Sequence, residues 1–112
     1  FTHPFGCSQL GDDQTTTQLV LRGLVNHPNA GGVLVLGLGC ENNNIEVFKK
    51  VLGEYNPDRV KFLVTQDVDD DIEAGVAIIN ELKEYAVHPL HLKVVDFIKE
   101  VRESRACVDY EF

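Results

Sequence analysis

Hydrophobic positions along the chain follow two periods, one typical of strands and one typical of helices. Residues 33–38 form a continuous apolar run, which predicts a strand covered on both faces. Residues 59–65 predict a second strand, and residues 1–3 resemble the end of a third. Because strands that alternate with helices favour a parallel sheet with right-handed crossovers, we expect an α/β fold. The expected architecture is a three-layer sandwich around a small parallel sheet, with Rossmann-like or flavodoxin-like alternation.

Three helices are predicted between these strands. Asp12 or Asp13 is expected to cap the first, which runs to about Val25. Asn44 is expected to cap the second, and Gly53 to end it. The apolar faces are expected to consist of Val20, Leu21 and Leu24 in the first helix, and of Ile45, Phe48 and Leu52 in the second.

The third helix is predicted over residues 71–86, with Asp69 or Asp70 as its cap. Its helically spaced apolar residues are Ile72, Val76, Ile79 and Leu82. After it, residues 90–101 predict a helix that begins near Pro89, with a short strand over 92–95 as the alternative. Residues 103–112 resemble a tail. We therefore expect a single α/β domain over residues 1–112.

Composition and charge narrow the functional classes. The net charge of −8 opposes a nucleic-acid binder, which needs a basic surface, and also opposes binding to an anionic membrane. No apolar run approaches the roughly 20 residues that span a bilayer. Three widely spaced cysteines are not a disulfide framework, which favours a reducing cytoplasm. We interpret both ends as cut points in a longer chain, with proteolytic maturation as the alternative.

Residues that carry chemistry follow the predicted strands. Carboxyl ends of parallel strands meet at one edge of a sheet, and that edge is where ligands bind in open α/β folds. The loops there contain His3, Cys7, Ser8 and Gln9 after the first strand, and Cys40, Glu41, Asn42 and Asn43 after the second. Nitrogen, sulfur and oxygen ligands from His3, Cys7, Cys40 and Glu41 form a mixed set that suits a transition metal.

Structural roles compete with each of these interpretations. A free cysteine is often a small buried hydrophobe, and a histidine before proline often hydrogen-bonds its own loop. Glu41 and Asn42 also suit an ordinary helix start. The glycines at 37 and 39 are only part of a dinucleotide-binding fingerprint, and the acidic run over 67–71 is typical of a solvated helix start.

Three stretches carry a family resemblance. Residues 3–13 (HPFGCSQLGDD), 27–32 (HPNAGG) and 37–43 (GLGCENN) resemble, in the same order, segments of the altronate dehydratase family. The wider family includes galactarate dehydratase, but the forms SQLGDD and ENN are more similar to the altronate branch. The resemblance implies that this chain is the central domain of a longer enzyme.

The resemblance also implies an activity. Members of the family convert D-altronate to 2-dehydro-3-deoxy-D-gluconate in hexuronate breakdown, with ferrous iron or manganese as cofactor. We expect His3 and Glu41 to act in catalysis and Cys7 and Cys40 to bind the metal. Substrate contacts are expected from Ser8, Gln9, Asn42 and Asn43. The implied partners are a sugar acid and the remaining domains of the same chain, with a homo-oligomer left open.

Two other functions remain as alternatives. In the first, the domain is a structural module that packs against the catalytic domains. In the second, it is an unrelated nucleotide-binding α/β domain. Clustering of His3, Cys7, Cys40 and Glu41 around one cleft would favour catalysis, whereas dispersed and buried cysteines would favour a structural module. We expect the 112-residue chain alone to be inactive, because an active site assembled between domains loses its positioning when one domain is separated.

Overall fold

The computed structural model describes residues 1–87. The helix or strand predicted over 90–101 and the tail over 103–112 lie outside the described residues. The elements, in chain order, are α1 (Asp12–Val25), β1 (Val33–Gly37), α2 (Ile45–Leu52), β2 (Val60–Val64), a 3-10 turn (Thr65–Asp67) and α3 (Asp71–Ala86).

The sheet within these residues has two parallel strands, β1 and β2. Val33 lies opposite Val60, and Gly37 lies opposite Val64. The two predicted parallel strands are therefore confirmed, each slightly shorter than the apolar run that predicts it. The prediction that residues 1–3 are the end of a third strand is wrong, because these residues are not in a strand. Three residues form too few ladder hydrogen bonds to offset the conformational entropy that pairing would cost.

Helices cover both faces of the sheet, which confirms the three-layer architecture. On one face, α1 and α2 pack through Val25, Phe48 and Leu52 against Val60, all of which are buried. On the other face, α3 contacts both strands. Gly32 allows this approach, because a Cβ there would lie only 3.1 Å from Cβ of Leu82.

Helix α1 differs from its prediction at its start and on its apolar face. Its cap is Gly11, with φ at 58° and no side-chain capping bond, so Asp12 and Asp13 lie inside the first turn. Their charges suit the positive end of the helix there. The buried residue of α1 is Val25, with Leu21 packed beside it. Of the predicted face, Leu21 is therefore confirmed, whereas Leu24 is 40% exposed and Val20 is 53% exposed.

Helix α2 matches its prediction. The Oδ1 atom of Asn44 accepts a hydrogen bond of 3.0 Å from the N–H of Val47, and Gly53 follows the helix with φ at 74°. The predicted apolar face, Ile45, Phe48 and Leu52, is buried throughout. This helix is consequently the best-packed element near the carboxyl ends of the strands.

Helix α3 begins where predicted, with Oδ1 of Asp70 accepting from the N–H of Glu73 at 2.8 Å. Its apolar stripe is only partly used, however. Leu82 is buried, whereas Ile72 is 76% exposed, Val76 53% and Ile79 54%. The two strands among residues 1–87 are too narrow to cover a stripe that winds around the helix. Within residues 1–87, no helix combines the length and apolar character needed to cross a membrane.

Candidate active site at the carboxyl ends of the strands

Two loops lie side by side at the carboxyl end of β1, as the sequence predicts. We call residues 3–11 the first loop and residues 38–44 the second loop. Asn42 joins them, because its backbone N–H donates to the carbonyl of Gly6 at 3.2 Å and its Nδ2 donates to the carbonyl of Cys7 at 3.2 Å. One residue of the second loop therefore holds the predicted histidine and cysteine segment against the sheet.

Glu41 organises the second loop from within. Its Oε1 accepts from the N–H of Leu38 at 2.9 Å, and its Oε2 accepts from the N–H of Gly39 at 2.6 Å. Partial burial raises the pKa of the Glu41 carboxyl, but the backbone N–H groups of Glu41, Gly39 and Leu38 favour its charged form. The net result is a lowered pKa. Glu41 is thus a fixed anion whose two oxygens both hold backbone groups.

Gly37 makes room for this arrangement. A Cβ at that position would lie 2.8 Å from Cγ1 of Ile45 and 2.9 Å from Oε1 of Glu41. Only a residue without a side chain therefore allows the strand to pass this close to the start of α2 and to the carboxylate. The glycine that sequence reasoning compared with a dinucleotide fingerprint has a packing role here.

The two cysteines are neighbours, but their thiols have different surroundings. The Sγ of Cys7 lies 3.9 Å from the carbonyl oxygen of Cys40, to which it donates. The Sγ of Cys40 accepts from Nε2 of Gln66 at 3.8 Å. Both are exposed free thiols. At the carboxyl edge, the sulfur of Cys7 therefore contacts the backbone of Cys40. The two sulfur atoms are not bonded to each other.

A cavity of about 570 Å³ opens beside this edge. His3, Cys7, Glu41 and Asn43 line its polar end, and the side of β1 lines its apolar length. Three of the four residues predicted to form the chemical cluster therefore share one cavity. The end of this cavity at the carboxyl edge, where these polar groups converge beside apolar side chains, has a composition typical of small-molecule sites.

His3 is held in a defined orientation at the mouth of the first loop. Its Nδ1 accepts from the N–H of Phe5 at 3.2 Å, and its ring stacks on that of Phe5 with centroids 6.2 Å apart. Since Nδ1 accepts, the proton of the neutral ring is on Nε2. The structural alternative for a histidine before proline is thus observed, and Nε2 remains the nitrogen able to transfer a proton.

The predicted substrate-binding residues differ in how they are held. Oε1 of Gln9 accepts from Oγ1 of Thr17, and Oδ1 of Asn43 accepts from Nε2 of Gln18 at 2.9 Å. Both amides thereby attach the loops to α1, while Ser8 and Asn42 are exposed at the surface. Their roles in binding substrate stay predictions.

Sequence reasoning missed three participants at this edge, namely Thr17, Gln18 and Gln66. Gln66 could have been found, because it directly follows the apolar run of β2 and so lies at the same edge as Cys40. Nothing in the sequence distinguishes Thr17 and Gln18 from other polar positions on α1.

The described side chains do not assemble a metal centre. Across residues 1–87, no group of three or more histidine, cysteine, aspartate and glutamate side chains is placed to hold a metal ion. The lone pairs of Glu41 face backbone N–H groups, and Cys40 faces Gln66. The donor set within residues 1–87 therefore does not fit a complete iron or manganese site.

Comparison with known proteins identifies the class to which this fold and paired-loop site belong. The sequence profile described as "D-galactarate dehydratase/Altronate hydrolase, second domain" matches residues 1–87. The chain therefore belongs to this family of sugar-acid dehydratases.

The curated relatives include two altronate dehydratases. The chain is 52% identical over 82 residues to altronate dehydratase of Escherichia coli (strain K12), covering 73% of this chain and 17% of the relative. It is 56% identical over 84 residues to altronate dehydratase of Bacillus subtilis (strain 168), covering 75% of this chain and 17% of the relative. No solved structure matches the chain. The chain thus spans about a sixth of the length of these relatives.

Proposed function

We propose that this domain is part of a hydro-lyase that removes water from D-altronate to give 2-dehydro-3-deoxy-D-gluconate in hexuronate catabolism. The observation that carries the proposal is the identity of 52–56% to two altronate dehydratases over 82 and 84 residues. D-galactarate is the alternative substrate, since the family profile includes both activities. The proposed location is the cytoplasm.

The reaction requires one proton to leave and one hydroxyl to depart as water. A base removes the proton on C2, next to the carboxylate, and the electron pair of that bond forms the C2–C3 double bond. An acid protonates the C3 hydroxyl as its bond to carbon breaks. The resulting enol takes up a proton on C3 and becomes the 2-keto acid.

His3 is the proposed proton-transfer group of this domain. Its Nδ1 is engaged with Phe5, so Nε2 carries or accepts the proton, and the ring lines the cavity together with Cys7. Ser8, Gln9, Asn42 and Asn43 are the proposed contacts to substrate hydroxyls. We propose that Glu41 takes part mainly by holding the second loop, since proton transfer at either oxygen would require release of a backbone N–H.

Iron or manganese remains the cofactor proposed from the family resemblance, with Cys7 and Cys40 as proposed ligands. Such an ion would stabilise the negative charge that develops when the C2 proton leaves. Residues 1–87 do not form a complete ligand set for the ion. We therefore assign no step of the reaction to the metal, and the role proposed for His3 does not depend on it.

The proposal is tested by turnover of the full-length protein with each sugar acid. We expect 2-keto acid to form from D-altronate, faster than from D-galactarate, and no formation by the 112-residue chain. Absence of turnover on D-altronate in the full-length protein, with turnover on another sugar acid, would show that the substrate is wrong. Turnover by the 112-residue chain would show that the site is complete within it.

A non-catalytic interdomain module is the second candidate. The observation that favours it is the internal use of polar groups: Glu41, Asn42 and Asn43 all hydrogen-bond to other residues of this domain. In that case, substitutions at the carboxyl edge would lower stability without changing turnover per folded molecule. The two candidates can therefore be distinguished by measuring both turnover per folded molecule and stability for each variant.

A further inference from the structure

One edge of β1 has no strand beside it among the described residues. The N–H of Val33 donates to the carbonyl of Arg59 at 2.8 Å, so the peptide groups of Val33, Val35 and Gly37 face β2. Since peptide groups alternate sides along a strand, those of Leu34 and Leu36 point to the opposite edge. Within residues 1–87, β2 is the only strand paired with β1.

The surface beside this edge is an apolar groove that runs the length of β1. Every residue of β1 lines the 570 Å³ cavity, and Leu21 and Leu24 of α1 form its wall. Leu36 is 61% exposed and Phe1 is 89% exposed, so large apolar side chains border the groove. An apolar groove along a row of unpaired peptide groups suits an extended segment that adds to the sheet.

The position of α1 shows where a further strand belongs. Helices α1 and α2 pack on the same face of the sheet. The right-handed crossover through α2 places β2 on one side of β1. The same rule, applied to α1 on that face, places a strand that precedes α1 on the other side of β1. The first loop already lies at the carboxyl end of β1, where such a strand would end, because Asn42 binds Gly6 there.

We propose that the free edge of β1 binds a parallel apolar strand of the full-length protein that leads directly into Phe1. The sheet then has at least three strands, with β1 in the interior. The added strand occupies the part of the cavity along Leu34 and Leu36, and the end lined by His3, Cys7 and Glu41 stays open as the candidate site. The exposure of Leu36 supports this, because a large apolar side chain that is 61% exposed beside an unpaired strand edge is expected to be covered in the full-length protein. The relatives also provide ample chain, since the matched region is 17% of their length. The proposal does not depend on the substrate or on the reaction.

Hydrogen exchange of the full-length protein, resolved to single amides, tests this assignment. We expect the N–H groups of Leu34 and Leu36 to exchange about 100-fold more slowly than unpaired amides do. We also expect alternate amides among the roughly six residues preceding Phe1 to be protected, a number set by the length of a typical strand. A variant with those residues replaced by a Gly–Ser linker should lose the protection at Leu34 and Leu36.

The amides of Val33 and Val35, which face β2, are the internal control and should stay protected in both proteins. Rapid exchange at Leu34 and Leu36 in the unmodified protein contradicts the proposal. Protection that survives in the linker variant also contradicts it, because another segment or a second copy then covers the edge. If the linker variant does not fold, the unmodified protein still tests the proposal. Alternating protection before Phe1 supports the added strand, and its absence contradicts it.

Discussion

Two histidine–proline turns in this domain have the same local geometry but lie at opposite ends of the sheet. Nδ1 of His3 accepts from the N–H of Phe5, and Nδ1 of His27 accepts from the N–H of Asn29, each at 3.2 Å. Both turns also belong to stretches that resemble the altronate dehydratase family. Local geometry and family resemblance therefore do not separate a structural turn from a catalytic one.

The surroundings of the two turns differ, and this difference supports the roles proposed for them. At the amino end of the sheet, Nη2 of Arg59 donates to the carbonyl of His27 and Nε donates to that of Ala30, both at 3.0 Å. Gly31 and Gly32 pack closely on α3 there. Local hydrogen bonds and packing thus account for His27, Gly31 and Gly32 in the HPNAGG stretch. At the carboxyl end, packing explains Gly37 and Glu41, whereas His3 and Cys7 remain exposed and line a cavity.

Replacing Arg59 with alanine should have the largest effect on stability. The substitution removes two hydrogen bonds from a charged donor and leaves two carbonyls of the amino-end turn without it. We expect the free energy of unfolding to fall by about 2–3 kcal/mol. Denaturant unfolding of the 112-residue chain measures this loss. Arg22→Ala, at an exposed position of α1, is the control and should change stability by less than about 0.5 kcal/mol. Equal effects of the two substitutions would show that the amino end is not held by Arg59.

Two glycine-to-alanine substitutions should have opposite signs. Gly37→Ala places a Cβ 2.8 Å from Ile45 and should lower the free energy of unfolding by about 1–3 kcal/mol. Gly23→Ala, in the open interior of α1, should raise it by about 0.5–1 kcal/mol, because alanine favours the helix. Thermal and denaturant unfolding of both variants checks this pair. If Gly37→Ala leaves the free energy of unfolding unchanged, the second loop can accommodate a Cβ at this position, contrary to the packing described above.

The charge of Glu41 should make the stability of the carboxyl end depend on pH. Its pKa is lowered in the folded state, so its stabilising contribution is fully present above its ordinary value of 4.5. The contribution is lost as the pH falls through the lowered pKa. Glu41→Gln should therefore cost about 1 kcal/mol near pH 7 and progressively less below pH 4.5. Glu46→Gln, at an exposed carboxylate of α2, should show a much smaller difference. A cost of Glu41→Gln that stays constant with pH would contradict the proposed anion.

Most of the fold could be predicted because the spacing of apolar residues indicates both the type of each element and the face that it buries. Helix α2 has its cap, its buried face and its terminal glycine where the sequence indicates them. The errors fall where tertiary context decides. Nothing local shows that Gly11 and not Asp12 precedes α1, and the apolar stripe of α3 does not show how little of it the two strands of residues 1–87 cover.

The candidate site was predicted at the level of loops but not of atoms. Topology places both loops at one edge, which is why Cys7 and Cys40 are neighbours. It does not determine rotamers, so the pairing of Cys40 with Gln66 and the capture of the Glu41 oxygens by backbone N–H groups could not be foreseen.

The central claim is that the carboxyl end of the sheet performs chemistry while the amino end is structural, and the two histidines test it directly. We would measure turnover on D-altronate and the thermal midpoint for His3→Gln and His27→Gln in the full-length protein. The account predicts that His3→Gln lowers turnover by about 100-fold or more with a small change in midpoint. It predicts that His27→Gln leaves turnover per folded molecule unchanged. Equal turnover in the two variants would contradict the account and favour a purely structural domain.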